Sequence, residues 1–180
     1  MNVEIVQATV DRRPLIEGLF QFYAYDFSEF AAPDSPDFEV DEAGRFAAYA
    51  HMDAYWRDPA CVPLLITADG RAAGFALVND WSPSGLGVDR AMAEFFIRRK
   101  YRRAGLGGEA VRQVLALYPG WWEIAVAARN TPALAFWPRA VAALDAVTRL
   151  TPIEGDGVRW RGPILRFLAL PAAGRSEEAP

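Results

Sequence analysis

One cysteine, one histidine and one lysine are all that the sequence holds of those three residues, and each scarcity removes a class of function. Cys61 by itself rules out an internal disulfide and any Cys-rich zinc site. It adjoins the apolar run Val62 to Ile66 and reads as a small core residue, which suits a reducing cytoplasm. His51 has no metal-ligand partner at helical spacing, so it reads as a surface or half-buried side chain, and no metal is expected. Lys100 is the lone lysine among 19 basic residues, a bias read as codon usage before chemistry. No window reaches the ~18 uninterrupted apolar residues of a membrane span. The start, MNVEIVQATVDRR, has no basic segment leading into an apolar one, so neither a signal peptide nor a membrane partner is expected. The net charge is −4, which argues against a nucleic-acid module, since those carry a basic face.

What is present is apolar: 52% of 180 residues, enough to bury a core. There is no internal repeat and no linker. The expectation is a single domain over residues 1–170, followed by a flexible, polar, proline-bearing tail at 171–180.

Periodicity and punctuation supply the elements. Val3 to Ala8 reads as a strand. Asp11 is placed to cap a helix with Pro14 in its first turn, and Leu15, Leu19, Tyr23, Phe27 and Phe30 then recur at helical spacing. Asp41 to Arg57 reads as a second helix, stopped by Pro59. Strands at Val62–Thr67 and Ala72–Val78 flank Asp69-Gly70, a hairpin signal. Ala91 to Ile97 is the next strand. Leu106, Ala110, Val114 and Leu117 mark a helix, ended by Pro119-Gly120. Trp122 to Ala127 is a strand, and Thr131 is placed to cap a helix with Pro132 at its first position. Strands near Val147–Ile153 and Val158–Leu170 flank a turn at 154–157. Hairpins make antiparallel pairs, and the strand–helix–strand step from 91–97 to 122–127 makes a parallel one. The class is therefore α/β, with a mixed, mainly antiparallel sheet of about seven strands and helices on both faces.

The stretch RRAGLGGEAV, Arg102 to Val111, sets two arginines and three glycines between a strand and a helix. The first amides of a helix have no partner within it, and the helix dipole adds roughly half a positive charge there. Glycines let a phosphate approach the backbone. A P-loop is excluded, because Gly107-Gly108-Glu109 lacks the required Lys-Ser/Thr. A dinucleotide fingerprint would need other spacing in the first strand–helix unit. A loop that merely turns the chain stays open as the alternative.

The pattern R-x-x-G-x-G (Arg102, Gly105, Gly107) resembles the acetyl-CoA motif of the GNAT family of N-acetyltransferases. Asn130, Ala133 and Phe136 match its N-x-x-A-x-x-F pattern, the hairpin with Gly74 looks like its second and third strands, and the element order agrees over roughly residues 3 to 170. The run AEFFIRRKYRRAGLG, then WWE, then FW, looks most like a bacterial group within it. The resemblance implies acetyl-CoA as co-substrate, without metal, and an amine of a small molecule or protein as acceptor. A non-catalytic acyl-CoA sensor of the same fold is the alternative. It also implies ligand contacts. The amides of Arg103, Ala104, Gly105, Leu106, Gly107 and Gly108, with Arg102, would hold the pyrophosphate. Backbone of Phe96, Ile97 and Arg98 would meet the pantetheine arm, Asn130 would bond it, and Phe136 and Trp137 would line the thioester end. Dimers are common in the family, so a homodimer is the oligomer to test.

Acetyl transfer needs a neutral amine, a stabilised oxyanion and a leaving thiolate. Glu94 is the carboxylate of the central strand and the candidate base, acting directly or through water. Strand alternation puts it on the face opposite Phe95 and Ile97, so pairing with an arginine or a place in the acceptor-pocket wall stays open. Tyr25 and Asp26 lie on the first helix, which in the family borders the acceptor cleft, with core packing the alternative for that helix. Trp81 is a second candidate wall. Two departures matter. Trp137 stands where the family often has a tyrosine that protonates the thiolate. Pro138 follows it, and proline costs ~3 kcal/mol inside a regular helix, which predicts a kink or an early end.

Overall fold

The computed structural model describes residues 1–171, so all but the first residue of the tail expected at 171–180 lies outside the described residues. Seven strands form one mixed sheet in the order β1-β2-β3-β4-β5-β7-β6. They are β1 (Val3–Gln7), β2 (Val62–Ala68), β3 (Arg71–Asn79), β4 (Arg90–Ile97), β5 (Gly120–Ala125), β6 (Val147–Glu154) and β7 (Pro163–Ala169). The helices are α1 (Arg13–Ser28), α2 (Leu106–Leu117) and α3 (Thr131–Ala142). No described helix is long and apolar enough to cross a membrane. The chain divides into two compact units, Met1–Asn79 with Ala93–Gly107, and Asp80–Met92 with the chain from Gly108.

In the first unit β1 and β3 both pair antiparallel with β2, every residue of which is buried. Ile16, Leu19, Phe20 and Ala24 of α1 recur at helical spacing and are buried with Phe75, Leu77 and Phe96. Leu15 and Tyr23 sit at the margin of that stripe, so the predicted apolar face is right in period but offset by about one position. Cys61 packs on this core, as its apolar neighbours predict. A bulge interrupts the β2–β3 register after Ile66↔Gly74. The carbonyl of Ala73 there accepts from the Arg98 amide at 2.8 Å, which ties the end of β4 to β3. Gly74 has no substitute at this crossing, since a Cβ would lie 1.9 Å from the Phe96 carbonyl oxygen.

In the second unit β5 pairs parallel with the start of β4, Arg90 with Trp122 and Ala91 with Glu123, and antiparallel with β7 along its whole length. Trp122, Glu123 and Ile124 are buried in succession on β5, as are Ile164 and Leu165 on β7, so side chains on both faces of these strands are covered.

Five local expectations are corrected. Residues 41–57 are not a helix. The Asp41 carboxylate accepts from the Ala43 and Arg45 amides, both at 2.9 Å, and the Gln21 side chain takes both backbone groups of Phe46. Such bonds compete with helix formation, and only a short 3-10 turn at Met52–Trp56 remains. Asp11 does not cap α1, because its carboxylate accepts from the Thr9 hydroxyl and a 3-10 turn at Val10–Arg12 leads into the helix. Asn130, not Thr131, caps α3, its Oδ1 accepting from the Ala133 amide at 3.1 Å. The last strand begins at Pro163, five residues later than predicted, because Asp156 accepts from the Val158 and Arg159 amides and folds that segment into a turn. Of the two outcomes expected at Pro138, the early end does not occur, since the helix runs on to Ala142. β5 also starts two residues sooner than predicted, at Gly120.

Candidate active site

The chain leaves β4 at Ile97 and turns through Arg103 (φ 64°) and Gly105 (φ 79°), both left-handed, before α2 starts at Leu106. A turn of this kind can present backbone N–H groups to one side, and the first amides of α2 have no partner within the helix. Arg103, Ala104 and Gly105 are exposed, while Leu106 is buried and anchors the helix. A Cβ added at Gly108 would meet nothing within 4 Å. The free face of the turn therefore has the donor set and the room that a phosphate requires.

Arg102 braces the turn from behind. Its Nε donates to the Ile97 carbonyl at 2.6 Å, its Nη2 pairs with Asp26 of α1, and its guanidinium stands 5.5 Å from the Phe96 ring centroid. Asp26 also accepts from Arg99, at 2.9 Å from its Nε. Arg98 donates from its side chain to the Ala72 carbonyl at 2.8 Å. Phe96 and Ile97 are buried. Tyr25 is exposed and borders a groove of about 330 Å³ with Phe22, Asp26, Phe96, Arg98 and Arg99.

Glu94 is half-buried on β4 and faces α1. Its Oε2 accepts from the Tyr23 hydroxyl. Burial pushes the carboxyl up to about 7, against the Tyr23 and Tyr49 hydroxyls, which pull it down. Glu94 is thus a carboxylate held near neutrality in an aromatic setting, not the partner of an arginine. Tyr49 also lines a cavity of about 760 Å³ with Arg13, Gln21, Asp41, Arg45 and Phe46. His51 is exposed and meets Tyr49 edge-on, ring centroids 5.6 Å apart.

The second unit carries the remaining candidates. Asn130 spends its side-chain oxygen on the α3 cap. Phe136 is half-buried and Trp137 buried, their rings 5.1 Å apart. Trp81 is exposed in the loop after β3. That loop is anchored by Glu123, a fully buried carboxylate that the sequence reading passed over. Ser82 Oγ and the Ser84 amide donate to it at 3.0 Å, Ser84 Oγ at 2.5 Å and Arg166 at 2.6 Å. Burial pushes its carboxyl up, but the Ser84 hydroxyl and amide, Arg166 and Ser82 together hold it below the ordinary glutamate value. The signal was a lone carboxylate inside the apolar run WWEIAV. Tyr49 was missed because it lay in a segment read as helix.

An open mixed sheet of seven strands with three helices, its fourth strand feeding a glycine-bearing turn and a helix N-terminus, defines the acyl-CoA N-acyltransferase fold. The family model described as the acetyltransferase (GNAT) family matches residues 21–141, more than half of the chain, and the chain belongs to that family. Among solved structures it is similar to an acetyltransferase from Thermus thermophilus, at 15% identity over 93% of this chain and 96% of that one, TM-score 0.62. It is also similar to the PaiA N-acetyltransferase of Thermoplasma acidophilum in complex with coenzyme A, at 10% identity over 94% and 99%, TM-score 0.59. A third is YncA of Salmonella typhimurium with acetyl-CoA, at 12% identity over 99% of each chain, TM-score 0.52. No curated protein matches the chain by sequence.

Proposed function

We propose that this protein transfers the acetyl group of acetyl-CoA to an amine of a small-molecule or protein acceptor, without a metal and in the cytoplasm of a bacterium. The observation that carries the reading is the left-handed turn at Arg103 and Gly105 opening α2, reached from the strand that carries a carboxylate poised near neutrality. The donors of the turn fit a pyrophosphate. The amides of Arg103 to Gly108 would hold it, with Arg102 bracing the turn. Acetyl-CoA supplies an acetyl thioester activated toward an amine. Glu94 takes the proton that the amine must lose, directly or through one water. The acceptor roles of Tyr25, Asp26 and Trp81 follow from the family resemblance; Tyr25 and Trp81 are exposed, and both Asp26 oxygens are paired with Arg99 and Arg102. The roles of Asn130, Phe136 and Trp137 toward the pantetheine arm and thioester follow from the family resemblance.

The turn is tested by Gly107→Val, which puts a branched side chain where a phosphate must approach the backbone. The expected result is CoA affinity at least tenfold weaker by calorimetric titration, with the far-UV spectrum unchanged. Gly108→Ala is the folding control, since its added methyl meets nothing and helix propensity rises. Unchanged CoA affinity in Gly107→Val would remove the anion site. Release of CoA thiol with a panel of amines then separates an enzyme from an acyl-CoA sensor.

An indole N–H donates a hydrogen bond but does not give up its proton at accessible pH, whereas a tyrosine with a pKa of about 10 can. Trp137 therefore contributes shape, and the thiolate, with a pKa of about 8.5 for a cysteine-like thiol, leaves without an acid and takes its proton from water. Trp137→Phe should lower the rate less than tenfold, and Trp137→Ala should raise the KM for acetyl-CoA. A ~10³-fold loss of kcat in Trp137→Phe at unchanged KM, about 4 kcal/mol, would assign the N–H to the reacting centre.

A further inference from the structure

We propose that Tyr23 and Tyr49 are positioning residues, which aim the Glu94 carboxylate and keep it ionised at the pH where the enzyme works. The inference rests on Glu94 being the base. The three side chains come from distant parts of the chain: α1, the loop before the Met52–Trp56 turn, and β4. Packing sets the direction of both hydroxyls. The Tyr23 ring lies 4.7 Å from Phe27, 5.2 Å from Phe20, 5.9 Å from Phe75 and 6.1 Å from Phe96, by centroids. The Tyr49 ring lies 5.3 Å from Phe20 and 6.5 Å from Tyr55.

Two opposed effects act on the carboxylate. An aromatic, poorly solvated setting favours the acid, and hydroxyl donors favour the anion. The titratable groups gathered here are Tyr23 on α1, Tyr49 on the loop, Tyr55 on the 3-10 turn and Cys61 before β2. No arginine or lysine is among the causes acting on Glu94, so the two tyrosines are what offsets burial. Burial and the neighbouring carboxylate push both tyrosines well above their ordinary value, so they remain donors across the working range. The Tyr23 bond falls on Oε2, which orients the group.

The test is an NMR titration of the Glu94 side-chain carboxyl in the full chain, labelled with carbon-13 at glutamate and assigned with Glu94→Gln. Wild type should titrate near 7. Tyr23→Phe and Tyr49→Phe, which keep the rings, should each raise the midpoint by about one pH unit, as loss of a bond to a charged group implies. If Tyr23→Phe does not fold, Tyr49→Phe decides the matter. The acidic limb of thiol release from acetyl-CoA, read with the best amine of a panel of polyamine, aminoglycoside and peptide, should move by the same amount. CoA affinity should stay unchanged. A midpoint that stays put in the folded variants overturns the role of the tyrosines and leaves the base assignment standing. A uniform loss of rate with an unmoved limb also overturns it. A moved midpoint with Glu94→Gln as fast as wild type overturns the base itself, and the proposal with it.

Discussion

Glu94→Gln is expected to lower kcat/KM for the amine about a hundredfold, within the range that general-base catalysis contributes, and to leave the dissociation constant of CoA unchanged. The amide keeps an oxygen to accept from Tyr23 but cannot take a proton. The pH dependence is the sharper signature. A carboxyl raised to about 7 is mostly acid below that pH, so wild-type kcat/KM should fall about tenfold per pH unit as pH drops below 7. The ionisation of an alkylamine acceptor adds its own limb at higher pH, where the two separate. The variant should keep the amine's limb and lose the one near 7. Linkage gives an independent check. A folded-state pKa above the unfolded one contributes stability that is present below about 4.5 and lost as pH rises through about 7. The glutamine variant should therefore be no less stable than wild type at pH 8, as denaturant melts would show. Wild-type turnover of the variant at every pH would make Glu94 structural.

Arg166→Met is expected to cost about 3 kcal/mol of unfolding free energy at pH 7, the scale of a buried pair broken from one side. Glu123 is fully buried, and Arg166 closes its ring of donors while also holding the Gly87 carbonyl at 2.9 Å. Removing the arginine leaves a buried carboxylate with serine donors alone. Adding Glu123→Gln should recover part of the loss, because the remaining group is neutral. The sign with pH follows from a carboxyl held below its ordinary value. Its contribution is present above about 4.5 and lost as pH falls through the lower folded-state pKa. The gap between wild type and Arg166→Met should therefore narrow on acidification. Urea melts at several pH values measure this, and a constant gap would mean that Glu123 is not the charge involved. Because Ser82 and Ser84 follow Trp81, the same variant should also loosen the loop that carries the proposed acceptor wall.

Strands and hairpins were legible because alternation, Asp69-Gly70 and the glycines after β4 are local signals that act over a few residues. The turn at Arg102 to Gly108 was legible for the same reason: strand, turn and helix start are contiguous, so spacing alone shows a glycine-bearing turn into a helix N-terminus. Residues 41–57 were misread because their helix-like composition yields to hydrogen bonds with Gln21 of α1, which no local window contains. The start of the last strand was misplaced because an aspartate turn at Asp156 outcompetes an apolar-looking run. The sequence by itself determined which groups are available: Glu94, the glycine turn, and a tryptophan that cannot serve as an acid. Only the tertiary structure decided their state. It brought Tyr23 and Tyr49 onto Glu94, set Asp26 against Arg99 and Arg102, and closed Ser82, Ser84 and Arg166 around Glu123. The physical reason is that the charge state of a carboxylate depends on solvation and on donors within a few ångströms, and those donors come from residues up to 76 positions away along the chain.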